Sequence, residues 1–407
     1  MSPTILFSSF HNYLDHASGA AISAREVLCE LARRGWRVRV LCGSFFDDAN
    51  ADEQAFYATL KRRNIAPTVE SKRVVLAGRS VDFRVVRFLD ARIEATVFFA
   101  DDAASNALPR GLLSRPFGEL LLKLLLDEFQ NNKPDVYLTY GGYWAALPAV
   151  KIAKKFGVAP VFYLCNLAYN RRELFAEFEE IVVPSEFARS FYRQSLNVAT
   201  VVIPPLIDET KFRVADNSRR FLTFVNPSPE KGRYFFVGIA RELSRRRPEI
   251  PILVVESRSK ITTFATSSEA RTLSNLYALP QVDDPREFYR QTRMLLAPSL
   301  CAESFGRVAV EAGLNGILVV CSNRGALPEV VAHWGVALNI PRRFTPTTRT
   351  VPTPTEVAPW VDAVATIWDD DAYAQTLAQR AAQELERYSF RNVAEQTVAF
   401  FNDVASR

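Results

Sequence analysis

Two series of alternating apolar strands and amphipathic helices, separated by one break, run through the 407-residue chain and constrain its fold more than any other feature. Thr4–Ser9 is an apolar run after a proline. Ala20–Arg33 carries helical spacing through Ile22, Val27, Leu28 and Leu31, and Gly35 ends that helix before the strand Trp36–Leu41. This is a βαβ opening. The pattern predicts further strands near 71–76, 81–88, 135–139, 160–164, 180–183 and 199–203, with helices near 53–63, 116–131, 145–156 and 186–194. Continuous apolar strands joined by helices imply a parallel sheet buried on both faces.

Pro204-Pro205 and the polar stretch through Asp216, Asn217, Ser218, Arg219 and Arg220 break the pattern and read as a linker. A second series follows, with a strand at Phe221–Val225, a helix at 232–246, strands at 251–255, 275–278, 293–297 and 317–320, and helices at 285–291 and 304–313. The prolines between Pro341 and Thr355 make that stretch a loop, and helices resume from Glu356. With 48% hydrophobic residues the chain can fill two such cores.

Other classes are excluded by what the chain lacks. Five scattered cysteines contain no CxxC pair, and three histidines cannot supply a multi-histidine metal site. The Leu120–Leu126 run is interrupted by Lys123 and flanked by Glu119, Asp127 and Glu128, so it is no membrane span. The first residues lack a basic, signal-like start, and the expectation is a cytoplasmic protein with at most peripheral membrane contact. A net charge of +5 spread over both halves suits a phosphate-bearing small molecule and gives no sign of a nucleic-acid partner.

The densest chemical signal is Glu303-Ser-Phe-Gly-Arg-Val-Ala-Val-Glu311. Glu303 follows the strand Met294–Ala297 and the Pro298-Ser299 turn, at the carboxyl end of a parallel strand, where open α/β sheets bind ligands. The amides of Ser304 to Arg307 are then expected to form a helix N-terminus that favours phosphate, with Gly306 allowing close approach. Glu311, two turns on in an apolar context, needs a donor partner, and ribose hydroxyls would suit it. The alternative makes Glu303 a helix cap and Glu311 a surface residue. Lys231, in Asn226-Pro-Ser-Pro-Glu-Lys231-Gly232 at the start of a helix, is placed to neutralise a diphosphate or is an ordinary surface lysine. Ser18-Gly19-Ala20 is a weak glycine loop that departs from GxGxxG, which disfavours a nicotinamide site. Tyr140, Tyr143 and Trp144 could stack on a sugar or pack in the core. Asp369-Asp370-Asp371 matches a metal-binding DxD pattern but sits where a helix cap would.

Together these segments, with Pro184-Ser-Glu-Phe187, Val202-Ile-Pro-Pro-Leu-Ile-Asp208 and Gly325-Ala-Leu-Pro-Glu329-Val, resemble glycosyltransferase family 4, retaining sugar-nucleotide transferases of the GT-B fold. The resemblance covers essentially the whole chain. It implies two Rossmann-like domains facing across a cleft: an acceptor-binding domain of residues 1–203, to which a final helix 389–407 returns, and a donor-binding domain of residues 204–388. It places Glu303 near the donor sugar, Glu311 on the ribose, and Lys231 with the amides of Phe305 and Gly306 on the diphosphate. Donor contacts then comprise Asn226, Lys231, Glu303, Ser304, Phe305, Gly306 and Glu311, the catalytic set Glu303, Lys231 and Cys165, and the acceptor or phosphate loop Gly19, Ala20, Tyr143 and Trp144. The reaction implied moves a hexose from a nucleoside diphosphate sugar to a glycan or small-molecule acceptor, with no cofactor and no metal; oligomeric state is left open.

Two positions depart from the family pattern. Asn226 stands where an arginine is usual, and Cys165-Asn166 where a histidine pair is common. Cys165 reads equally as a small buried residue. These departures make a catalytically weak or silent nucleotide-sugar-binding subunit one rival expectation; another GT-B enzyme, such as a phosphorylase or epimerase, is the rival among enzymes.

Overall fold

The structure, a computed structural model, describes residues 2–15, 18–46, 53–76, 78–100, 113–215, 218–257, 259–260, 273–282 and 284–407. Asp216 and Asn217 of the expected linker lie outside them. The chain forms two compact units. One comprises Met1–Pro184, Arg189–Leu206 and Val393–Arg407, the other Ser185–Ala188 and Ile207–Asn392. Among the described residues no helix is long and apolar enough to cross a membrane.

Among the described residues the first unit is built on a nine-stranded sheet of β1 (Thr4–His11), β2 (Arg37–Phe45), β3 (Thr68–Leu76), β4 (Arg79–Asp90), β5 (Ile93–Ala100), β6 (Val136–Thr139), β7 (Ala159–Tyr163), β8 (Glu180–Val183) and β9 (Val201–Val202), in the spatial order β3-β4-β5-β2-β1-β6-β7-β8-β9. Its centre is β1, flanked in parallel by β2 and β6. Ile5, Leu6 and Phe7 are buried because helices cover both faces there. β7, β8 and β9 continue the parallel series.

The expectation of a wholly parallel, doubly buried sheet fails at one edge. β3 and β4 pair antiparallel, and so do β4 and β5, before β5 rejoins β2 in parallel. β3 is exposed along most of its length. The strand β5 is absent from the sequence reading, because its turn at Ala91-Arg92 contains neither glycine nor proline and places Ala91 at φ +58°.

Among the described residues the second unit holds a six-stranded parallel sheet of β10 (Phe221–Val225), β11 (Ile252–Val255), β12 (Leu276–Leu279), β13 (Thr292–Ala297), β14 (Leu318–Ser322) and β15 (Val336–Leu338), in the spatial order β12-β11-β10-β13-β14-β15. β10 lies between β11 and β13, with β12 beyond β11 and β14 and β15 beyond β13. A helix at Arg233–Arg246 stacks Phe236 on Phe224 of β10, ring centroids 4.4 Å apart. The helix Pro354–Asp369 starts on a capping box between Thr353 and Glu356 and buries Val357, Trp360, Val361 and Val364 in the same core. The final helix, Phe390–Ser406, belongs to the first unit from Val393 onward. There Phe401 meets Trp36 edge-on at 6.3 Å, Asn402 Oδ1 accepts from Trp36 Nε1, and Gln396 Nε2 donates to the Val202 carbonyl.

Candidate functional site

The order of the second sheet reverses at β10 and β13, with successive strands extending to either side of this pair, and the carboxyl ends of the strands at such a reversal are where open α/β sheets bind ligands. The loop after β10 carries Asn226 to Gly232; the loop after β13 carries Pro298 to Gly306. Backbone bonds tie them together, Leu300 N and Cys301 N both donating to the Glu230 carbonyl at 2.8 and 3.1 Å. Gly232, at φ +85°, lies so close that an added Cβ would stand 1.9 Å from the Pro298 carbonyl oxygen. Only glycine permits both the conformation and the approach.

Held this way, Lys231 extends onto the neighbouring loop. Its Nζ lies 2.5 Å from Glu303 Oε1, and Ser299 Oγ donates to the same oxygen at 2.7 Å. The Glu303 side chain is 14% exposed and that of Lys231 32%. Burial pushes the Glu303 carboxyl upward, but the Lys231 charge and the bonds from Lys231 and Ser299 outweigh it and hold the group below the usual carboxylate range. The Glu303 backbone is clamped from the other side: Gly325 forms a parallel bridge with it, and Ala326 N donates to its carbonyl at 2.8 Å. Gly325, at φ +69°, would place an added Cβ 2.2 Å from Glu303 N.

The helix expected from Ser304 begins at Arg307 and runs to Leu314. Ser304, Phe305 and Gly306 are loop residues, so their amides are not the first turn of a helix. The cause is Gly306, whose φ of +101° takes it out of helical geometry. Phe305 is buried against Tyr388, and Gly306 lies under Leu327. Among the described residues no hydrogen bond engages the backbone N–H of Phe305 or Gly306. Ser304 instead offers its carbonyl to Ser185 Oγ at 2.7 Å. The neighbouring amides of Glu186 and Phe187 donate to the Glu329 carboxylate at 3.1 and 2.8 Å, which brings together two motifs far apart in sequence.

Glu311 is not a free surface carboxylate. Its Oε2 accepts a 2.8 Å bond from Tyr289, and Arg307 stands 3.6 Å from Oε1. Asn226 adopts φ +59°, and its Oδ1 is buried without a partner among the described residues. Lys231, Glu303, Ser304, Phe305, Gly306, Glu311 and Asn226 thus all belong to the second unit and to the loops around its switch point, or to the helix that follows.

Cys165, Gly19, Ala20, Tyr143 and Trp144 belong to the first unit. Cys165 follows β7, half-buried, with its Sγ 3.7 Å from the Tyr163 carbonyl. Gly19 and Ala20 are the first residues of the helix Gly19–Arg33 rather than a loop. Tyr143 is buried, its ring edge-on to Phe10 at 4.6 Å, which removes it from stacking on a ligand. Trp144 keeps 37% exposure, but its Nε1 donates to the Leu113 carbonyl and Arg115 covers its ring at 4.9 Å. In the aspartate triplet, Asp369 pairs with Arg247, Asp370 caps the helix that follows, and Asp371 reaches Arg293.

Three residues of the site escaped the sequence reading: Ser299, Tyr289 and Arg324. Arg324 Nη1 donates to the Leu300 carbonyl at 2.7 Å and fixes the loop that carries Ser299 and Glu303. Ser299 stands four residues before Glu303 in the same loop, a spacing that could have marked it.

Residues 208–384 match the family model described as "Glycosyl transferases group 1". Among curated relatives, the lipopolysaccharide 1,2-N-acetylglucosaminetransferase of Salmonella typhimurium is 28% identical over 177 residues, 37% of this chain and 46% of that protein. The phosphatidyl-myo-inositol mannosyltransferase of Mycolicibacterium smegmatis is 26% identical over 234 residues, 55% and 57% of the two chains. The chain spans about half the length of the curated relatives it matches. Solved structures match end to end: a Rickettsia africae glycosyltransferase with TM-score 0.70 at 13% identity, covering 99% of this chain and 98% of that one. Anabaena Alr3699/HepE in complex with UDP-glucose has TM-score 0.65 at 17% identity, covering 98% and 99%. At such identities the likeness shows the fold, which is GT-B: two Rossmann-like α/β units.

Proposed function

We propose that the protein is a retaining, metal-independent glycosyltransferase of family 4 that moves a hexose from a nucleoside diphosphate sugar to a sugar or small-molecule acceptor. The observation that carries this reading is the meeting of Lys231 and Glu303 at the switch point of the sheet whose unit matches the group 1 family model. A cation and a carboxylate side by side suit a ligand that is a diphosphate at one end and a polyhydroxylated ring at the other. Lys231 and the amides of Phe305 and Gly306 stabilise the departing diphosphate; Glu303 orients the donor sugar; Glu311 receives the ribose. The leaving phosphate assists deprotonation of the acceptor on the same face, so no carboxylate nucleophile is required. The first unit, with Cys165, Trp144 and the start of the helix at Gly19, takes the acceptor. The protein acts in the cytoplasm, with no nucleic-acid partner and at most peripheral membrane contact.

Thermal shifts against a panel of nucleotide sugars select the donor, since a ligand that binds the folded state raises the melting temperature. Proton NMR of the transfer product then reads the anomeric configuration, with and without chelator. An inverted product or loss of activity with chelator contradicts the mechanism. A second reading, a catalytically silent nucleotide-sugar-binding subunit, is favoured by Cys165 and by Asn226, which leaves a buried amide oxygen rather than a cation beside the proposed diphosphate site. Donor binding without transfer to any acceptor would select it. Phosphate-dependent turnover would instead point to a phosphorylase.

A further inference from the structure

One oxygen, Glu303 Oε1, accepts from both Lys231 Nζ at 2.5 Å and Ser299 Oγ at 2.7 Å. On the proposed function, on which this inference rests, the same lysine must serve the donor's diphosphate. A diphosphate carries more charge than a carboxylate and draws the ammonium toward itself. Glu303 then loses its counter-charge while still largely buried, a costly state unless another donor holds it.

Ser299 is that donor, and its backbone is held without the lysine side chain. The residue is buried, and its carbonyl accepts from Ser322 Oγ at 2.8 Å. The amide of the next residue, Leu300, bonds the Glu230 carbonyl, and the Leu300 carbonyl is held by Arg324. The hydroxyl therefore sits on backbone fixed from three sides, whereas Lys231 reaches the carboxylate through four flexible methylenes. We propose that Lys231 exchanges Glu303 for the donor's diphosphate, and that Ser299 is the positioning residue that keeps the Glu303 carboxylate aimed at the donor sugar after the exchange.

Calorimetry with UDP and UDP-glucose tests this, with ADP, GDP and their sugar conjugates run alongside. Glu303→Gln removes the competing anion, so affinity for the bare diphosphate rises about fivefold; the gain disappears in a Lys231→Ala background. Ser299→Ala leaves bare-diphosphate affinity within about twofold and weakens the nucleotide sugar about fivefold. That second loss disappears in a Glu303→Gln background, since coupled residues are not additive. Ser299→Cys, nearly isosteric with a weaker donor, serves if Ser299→Ala does not fold. A Glu303→Gln gain that persists without Lys231 would mean simple charge repulsion and overturn the exchange. Equal weakening of diphosphate and nucleotide sugar by Ser299→Ala would overturn the positioning role. Both results leave the proposed function standing, whereas no binding of any diphosphate or nucleotide sugar by the unmodified protein removes the function and the inference together.

Discussion

Tyr289, fully buried at the end of a short helix just before β13, donates a 2.8 Å hydrogen bond to Oε2 of Glu311, 22 residues further along the chain. The bond holds Oε2 of the Glu311 carboxylate, and the half-buried Arg307 stands 3.6 Å from Oε1. Burial first, then the Glu311 charge, pushes the Tyr289 hydroxyl well above the ordinary tyrosine range, so it remains a donor throughout the working pH range. Tyr289→Phe keeps the packing and removes only the bond. Affinity for ribose-bearing ligands should fall about fivefold, the equivalent of ~1 kcal/mol. Calorimetry with the nucleoside alone reads this, and unchanged affinity would separate Glu311 from the ribose.

The two glycines nearest the proposed ligand loops should behave in opposite ways. Gly232→Ala forces a Cβ onto a residue at φ +85° and against the Pro298 carbonyl. It should cost about 2 kcal/mol or more and displace Lys231. Gly19→Ala meets open space at the start of a helix, where alanine is the better helix former. It should be neutral or stabilise by about 0.5 kcal/mol. Thermal melts of the two variants check both signs.

A pH series tests the Lys231–Glu303 pair in the ligand-free protein. A carboxyl held below its ordinary value in the folded state stabilises above the unfolded value of about 4.3, and that contribution is lost as pH falls through the folded value. Lys231→Met removes the cation and leaves burial, which raises the Glu303 value, so ionisation now costs stability as pH rises through about 4.3. The melting-temperature gap between wild type and Lys231→Met should therefore widen from about pH 3 to about pH 7. Neighbouring Cys301, pushed up to about 11 by burial and then by Glu303, stays neutral across that window. A constant gap would mean that the pair contributes nothing specific to Glu303.

The parts of this fold legible in the sequence are those encoded by local periodicity. The helices Gly19–Arg33, Arg115–Asn131 and Arg233–Arg246 and the strands around them follow from apolar spacing and from breakers such as Gly35. Lys231 and Glu303 were legible as loop residues at strand ends. Their contact was not, because it depends on the Glu230 carbonyl meeting Leu300 and Cys301, about 70 positions away. The glycines were legible as motif members but not by role: Gly19, in open space at the start of a helix, has a conformation that any residue could adopt, while Gly232 and Gly325 make the close approaches that build the site. Tyr143 and Trp144 illustrate the same limit, since neighbours in sequence differ in burial only through what packs on them from elsewhere. Partners such as Tyr289 for Glu311 and Ser185 for Ser304 have no local signature at all.

A single calorimetric comparison decides whether Lys231 and Glu311 hold opposite ends of one nucleoside diphosphate. The unmodified protein, Lys231→Ala and Glu311→Ala are each titrated with a nucleoside diphosphate and with the corresponding nucleoside. Lys231→Ala is expected to weaken the diphosphate at least tenfold and to leave the nucleoside within about twofold, whereas Glu311→Ala should weaken both by similar factors. Equal losses of both ligands in Lys231→Ala, or unchanged affinities in a folded Glu311→Ala, would contradict it.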